Sequence, residues 1–334
     1  MLNYEKVKNW KSEAVQHTYD KKDVILYALG VGMGQDPQNE SALHFVTENE
    51  LRVLPSMATV LATPGFWMRD HPELEIDCIH LVHGEQKVTL HQPLPAGGSV
   101  MGQTRVTRVV DKGIGKGALV YSERQLTNSS TTELIATCES MTFCRADGGF
   151  SAKGGGSDQP LATPDATPER PPEQFLDFQT RTESALLYRL SGDLNPLHSD
   201  PKVAKSAGFP RPILHGLATY GGACSALLNA YCENMPIRLT SMYARFSSPT
   251  FPGDRITLEC WDEGTHIAFR AKVLERNAVV LSHGRACCID AISSVWKRPS
   301  CGCCHCGWCI FFGNDVLWIQ RCKHVASRAR YQYD

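Results

Sequence analysis

The chain has 334 residues, an apolar fraction of 42% and a formal net charge of −1, from 34 Lys and Arg against 35 Asp and Glu. That length holds one large core or two ordinary domains, and charges spread so evenly leave no electrostatic footprint for nucleic acid. No apolar run is long enough for a membrane-spanning helix, and the N-terminus lacks the apolar core of a signal peptide. Of the fourteen cysteines, six follow residue 300. The other eight stand in mostly apolar surroundings, as expected of buried reduced thiols in an intracellular protein.

Residues 1–20 read as a surface helix or an extended lead-in. Residues 22–32 form a compact apolar run ended by glycines. Gly30, Gly32 and Gly34 do not make a dinucleotide loop, because they follow a predicted helix and no βαβ pattern comes after them. Residues 55–63 predict a helix of small side chains, closed by Pro64-Gly65. From residue 76 the pattern turns β-rich, with strands predicted over 76–90, 99–110, 118–126 and 132–144 and turns at 93–98 and 111–117. Residues 148–172 read as a solvated linker, with Gly154-Gly155-Gly156, five prolines and almost no large apolar side chain.

The second half repeats this order. A helix is predicted over 215–231, where Gly221, Gly222, Ala223 and Ser225 permit close packing on a sheet, and strands over 238–247, 255–261, 266–275 and 278–289. Before that helix lies Y-R-L-S-G-D-L-N-P-L-H, residues 188–198. Gly192 lets the chain bend, and Pro196 fixes its own φ and biases Asn195 away from the α region. Asp200-Pro201 then opens a short helix through Lys205 that stops near Gly208. Asp193 and His198 thus share a stiff bend. A carboxylate and an imidazole held close can pass a proton to or from water. The spacing alone equally fits a capping turn with a polar histidine beside it.

The run 188–201 followed by A-G-F-P-R-P-I-L-H-G-L closely resembles the signature of the MaoC-like enoyl-CoA hydratase 2 family, the R-specific hydratases also found in the peroxisomal multifunctional enzyme of β-oxidation. D-V-I-L-Y-A-L-G-V-G at 23–32, L-V-H-G-E-Q at 81–86 and R-F-S-S-P-T-F-P-G-D at 245–254 carry the resemblance over residues 1–290. It implies an α+β double hot dog: two antiparallel sheets, each wrapped round a central helix. Edge-to-edge joining would cover otherwise open strand edges. The expected divisions are 1–147, a non-catalytic hot dog with room for an acyl chain; 148–172, the linker; 173–292, the hot dog bearing the motif; and 293–334, an atypical tail.

The resemblance further implies reversible hydration of trans-2-enoyl-CoA to (3R)-3-hydroxyacyl-CoA, with no cofactor and no metal. His198 is expected to be the base on water, since an unperturbed imidazole titrates near roughly pH 6.5. Asp193 would hold the water's other hydrogen and serve C2, and the two can share the work. Asn195 either orients the water or shapes the turn, the second being the commoner use of Asn. The backbone N–H of Gly216, at a helix N-terminus, is the candidate oxyanion donor; alternatively its glycine only permits packing. His83 and Gly84 resemble an acyl-CoA contact, and a strand histidine on a solvated face is the rival reading. Lys112 is either a CoA-phosphate contact or a solvated turn lysine, with Arg245 and Arg211 as further phosphate candidates. Phe246 lines the ligand channel or belongs to the core. A hot dog thioesterase and a non-catalytic acyl-CoA-binding subunit are the competing functions. A homodimer is expected.

Beyond residue 293 the resemblance stops. Cys301, Cys303, Cys304, His305, Cys306 and Cys309 crowd into nine residues, unlike two zinc knuckles parted by a loop. A poorly ordered extension is the expected reading. The chain ends Gln332-Tyr333-Asp334, not in an S-K-L-like tripeptide. The expected location is therefore the peroxisome by family, otherwise the cytosol.

Overall fold

Ten strands pair antiparallel into a single sheet. They are β1 (Val15–Tyr19), β2 (Leu81–Leu90), β3 (Gly98–Asp111), β4 (Ala118–Asn128), β5 (Leu134–Cys144), β6 (Gln174–Gln179), β7 (Leu239–Phe246), β8 (Arg255–Asp262), β9 (Ile267–Val273) and β10 (Ala278–Cys288). The computed structural model describes residues 2–289 except residue 163, together with the backbone of 310–313 and 316–319. The strand order is β1-β3-β4-β5-β2-β7-β10-β9-β8-β6, so the first five strands and the last five meet at β2 and β7.

Several strands follow a side-chain alternation, whereas Ile256–Trp261 of β8 are all buried. In β3 the residues Val100, Gly102, Thr104 and Val106 are buried while Gln103, Arg105 and Thr107 face solvent. A register shift between Val106 and Arg108 then restores the inward face at Val109. At the central seam Glu85 stands opposite Arg245 and Val88 opposite Met242.

The helix Gly216–Cys232 lies against the sheet, touching β6, β7 and β10. Its small residues admit the close approach expected of them. A Cβ added at Gly221 would stand 2.5 Å from Val31 Cγ1, and one at Gly222 2.5 Å from Phe178 Cε2. The first half has no helix of that length. Its corresponding element is the 3₁₀ turn Pro55–Thr59, packed on β2, β5 and the long helix. It starts at a proline and gives way to Ala62 at φ +48°, which breaks the run before the predicted end at residue 63. The other predicted helix of that half spans Lys21–Gly30, with Asp20 and Asp23 forming a capping box.

Two elements depart from expectation. The lead-in contains both the short helix Tyr4–Lys8 and the strand β1, and residues 76–80 are not strand but run into the 3₁₀ turn Cys78–His80. The segment read as a linker is mostly exposed, yet it is tied down: Asp158 accepts bonds from Lys8 Nζ at 2.7 Å and Val109 N at 2.7 Å. The eight cysteines of residues 2–289 carry no disulfide. The described part of 310–319 is an antiparallel pair of its own, Ile310–Gly313 with Val316–Ile319. The cysteine cluster at 301–309 and the remaining expectations for the tail lie outside the described residues.

Candidate active site

Gly192, at φ +114°, turns the chain out of the short helical run that ends at Ser191 and presents Asp193 at the surface. The Asp193 carboxylate accepts from Asn195 N at 3.1 Å, and Asn195 Oδ1 in turn accepts from Leu197 N at 3.0 Å. Asn195 thereby caps the 3₁₀ turn Pro196–His198, which is the turn-shaping role. Asp200 caps the next helix, Pro201–Ser206, as its sequence predicts.

His198 is buried and donates from Nδ1 to the carbonyl oxygen of Ile213 at 2.9 Å. That bond fixes the tautomer, leaving Nε2 as a free acceptor. Burial pushes its pKa below the usual 6.5, only partly opposed by the Ile213 bond and by Asp193, so the ring is neutral and basic near pH 7. The ligand atoms of Asp193, His198 and His215 all lie within 4.8 Å of one another. The structure therefore brings the acid and the imidazole of the sequence motif together.

The turn that delivers Ile213 is itself anchored. Leu214 N donates to Thr250 O at 2.7 Å, and the Arg211 and Arg276 guanidinium groups each lie 5.0 Å from the Phe251 ring centroid. Two separate stretches of the family resemblance, 207–217 and 245–254, thus hold each other in register. Arg211 serves this contact, with its Nη1 bonded to Pro252 O at 3.1 Å.

Gly216 is the first residue of the long helix, and His215 at its N-cap supplies no side-chain cap. The Phe246 ring lies against it: an added Cβ would stand 3.1 Å from Phe246 Cδ1. Phe246 also meets His83 edge-on at 4.8 Å. His83 is half-buried rather than solvated, bonds Glu85 O through Nε2 at 3.1 Å, and has its pKa lowered to about 4 by burial, against an opposing pull from Asp193. His83, Phe246 and Gly216 are therefore contiguous, beside the acid–imidazole pair. Gly84 is explained locally, since a Cβ there would meet Met141 Cε at 2.5 Å.

Lys112 stands apart from this cluster in the turn after β3, with Nζ 4.7 Å from the Phe143 ring centroid. It does share with Gly84, Arg245 and Phe246 the lining of a groove of about 1350 Å³ on the sheet, which residues 160–162 and 164–168 also line. Arg245 is engaged by Glu85, Nη2 to Oε1 at 2.6 Å.

Asp193, His198 and His215 offer a donor set that a transition metal accepts. The two imidazoles are stacked with centroids 3.7 Å apart, and each has one nitrogen committed to a backbone oxygen, His198 Nδ1 to Ile213 and His215 Nε2 to Asp193. A carboxylate and a neutral imidazole this close can both reach one water.

Residues 17–146 match the family model "MFE-2 hydratase 2 N-terminal domain", and residues 164–283 match "MaoC like domain". The chain is 37% identical over 288 residues to an Arabidopsis thaliana protein named peroxisomal enoyl-CoA hydratase 2, covering 81% of this chain and 91% of that one. The chain belongs to the MaoC-like hydratase 2 family.

Its fold matches the crystal structure of a MaoC-like dehydratase from Phytophthora capsici at TM-score 0.77 and 32% identity, over 88% of this chain and all of that one. A Mycobacterium tuberculosis protein described as a double hotdog matches at TM-score 0.50 and 13% identity, over 84% of this chain and 96% of that one. The ten-stranded sheet is a double hot dog in which only the second half keeps a long central helix. The sequence does not reveal two features of this candidate site: the Ile213 carbonyl that sets the His198 tautomer, which has no side-chain signature, and the reach of His215 back to Asp193. Tyr188, packed on His215 at 4.9 Å, was within the motif but was given no role there.

Proposed function

We propose that the protein is a hydro-lyase that adds water reversibly to a trans-2-enoyl-CoA, giving the (3R)-3-hydroxyacyl-CoA of fatty acid β-oxidation. One observation carries this reading: Asp193 and His198 approach within 4.8 Å while His198 Nδ1 is committed to Ile213, so Nε2 is free to take a proton.

Water held between the two groups loses one proton to His198 Nε2 as its oxygen attacks C3. Asp193 accepts a hydrogen bond from the other hydrogen, which stays on the product hydroxyl, and as the proton partner at C2 it relays there the proton that His198 took, so that one water is added and both groups return to their starting states. Negative charge grows on the thioester oxygen in between. The N–H of Gly216, at an uncapped helix N-terminus, is the donor assigned to it. Phe246 and His83 wall the site beside Gly216. Gly84 and Lys112 extend the assignment toward the CoA end, and Asn195 acts through the turn it caps.

Residues 1–147, which lack an Asp-x-Asn-Pro-x-His motif, form the acyl-chain half, 148–172 the link and 173–292 the catalytic half. The family models, matching 17–146 and 164–283, support that division. A homodimer acting in the peroxisome is the corresponding assembly and location.

The test is to supply trans-2-enoyl-CoA and follow loss of the enoyl thioester absorbance, with a thiol reagent present in a parallel sample. Hydration without release of CoA is expected. Stoichiometric free thiol would instead make the protein a thioesterase.

A further inference from the structure

We infer that His215 is a positioning residue, which ties the Asp193 loop to the face of His198 and to the helix that begins at Gly216. The inference rests on the hydration reading above for its kinetic consequence, though not for its structural one.

His215 is 2% exposed and occupies the N-cap of the long helix. Its Nε2 donates to the backbone oxygen of Asp193 at 3.1 Å and lies 4.0 Å from Oδ2 of the same residue. One face of the ring stacks on His198 at 3.7 Å and 27°, and Tyr188 packs against it at 4.9 Å. A single side chain therefore touches the acid's backbone, the base's ring and the start of the donor helix.

The other ring nitrogen shows what the imidazole is for. With Nε2 carrying the proton, Nδ1 is an acceptor, and it is buried with no partner among the described residues. Leaving a buried polar atom unpaired is unfavourable. A phenyl ring would fill the same space and stack equally well without that penalty. What a phenyl lacks is the Nε2–H that reaches Asp193. The bond is thus the feature that requires a histidine.

Four groups face the ring: His198, Asp193, Tyr188 and Arg189. Burial first, then His198, lower the pKa of His215 to about 4, with Asp193 opposing. The ring stays neutral through the working range and places no charge against the base. It orders the base without sharing its proton.

His215→Phe keeps the ring stack and deletes the donor; His215→Gln restores a donor of similar reach. In H215F, kcat should fall about tenfold or more with KM within about twofold, the pattern of a misplaced catalytic group. H215Q should recover a third or so of the wild-type kcat, on the same geometric grounds. The acid limb of the kcat profile should stay in place in H215F. Hydrogen exchange at the amides of Asn195 and Leu197, measured without substrate, should quicken in H215F and return in H215Q.

Wild-type kcat or unchanged exchange in H215F overturns the inference. So does an H215Q no better than H215F, which would reduce His215 to packing. A moved acid limb would make His215 a titrating partner in the chemistry instead. If the wild-type chain itself fails to hydrate enoyl-CoA, the functional reading falls, and the exchange data alone decide the positioning role.

Discussion

His198 Nδ1 donates to the carbonyl oxygen of Ile213 at 2.9 Å, so the nitrogen left to accept a proton is Nε2. His198→Gln removes that base, and Asp193→Asn removes the acid while its amide oxygen can still accept from Asn195 N. Each variant should lose on the order of 10²–10⁴ in kcat. Their circular dichroism and melting curves should match the wild type. Near-normal turnover in either would remove that residue from the chemistry.

Gly216 touches Phe246 closely enough that one methyl group decides between its two roles. Gly216→Ala presses on the ring at 3.1 Å and should cost about 1–3 kcal/mol of stability. Adding Phe246→Leu should return the stability. Turnover should stay low, because the methyl still stands where the thioester oxygen must approach the N–H. Recovery of both together would leave packing as the whole function of the glycine.

The seam between the halves is joined by Arg245 and Glu85, with Nε 2.9 Å and Nη2 2.6 Å from Oε1. Glu85 is buried and Arg245 about a third exposed. Arg245→Met strands the carboxylate and should destabilise the chain by about 2 kcal/mol, below the range for fully buried pairs because solvent screens the arginine. The double variant Glu85→Gln/Arg245→Met should regain part of that loss in urea unfolding. No difference between single and double variants would show that the pair is not coupled.

Acid should weaken the fold through its buried histidines. Burial lowers the pKa of His83 and His215 to about 4 and pushes His198 below its ordinary 6.5. Below about pH 6.5 the unfolded chain binds protons that the folded chain does not. The sign is therefore fixed: stability is intact above about pH 6.5 and declines as pH falls toward about 4. His83 and His215 should each contribute on the order of 2–3 kcal/mol to that decline, with His83 at the low end because its ring is only half-buried. Melting temperatures between pH 7 and pH 4 check this. H215F should show a shallower slope, and equal slopes would contradict the assignment.

The interior strands were legible in the sequence, within a few residues apart from the early start given to β2, because burial on at least one face marks them. The two strands of the ten-stranded sheet that escaped notice, β1 and β6, are its two edges. Four of the six residues of Gln174–Gln179 are exposed and Val15–Tyr19 buries only Tyr19, so neither carries a strong pattern. Asp193 and His198 were legible because the turn that joins them is local. Their environment was not: Ile213 acts through its backbone, and His215 reaches Asp193 from 22 residues away in a loop whose path no periodicity encodes.

The continuity of the sheet across β2 and β7 has a genetic consequence. A substitution in the first half away from His83, Gly84 and Lys112 would touch no group proposed for the site, yet it would perturb strands that share hydrogen bonds with the half that carries Asp193 and His198. Loss-of-function alleles should therefore fall on both sides of the junction. Those in the first half away from these three residues would lower the amount of folded enzyme while each surviving molecule kept its full turnover.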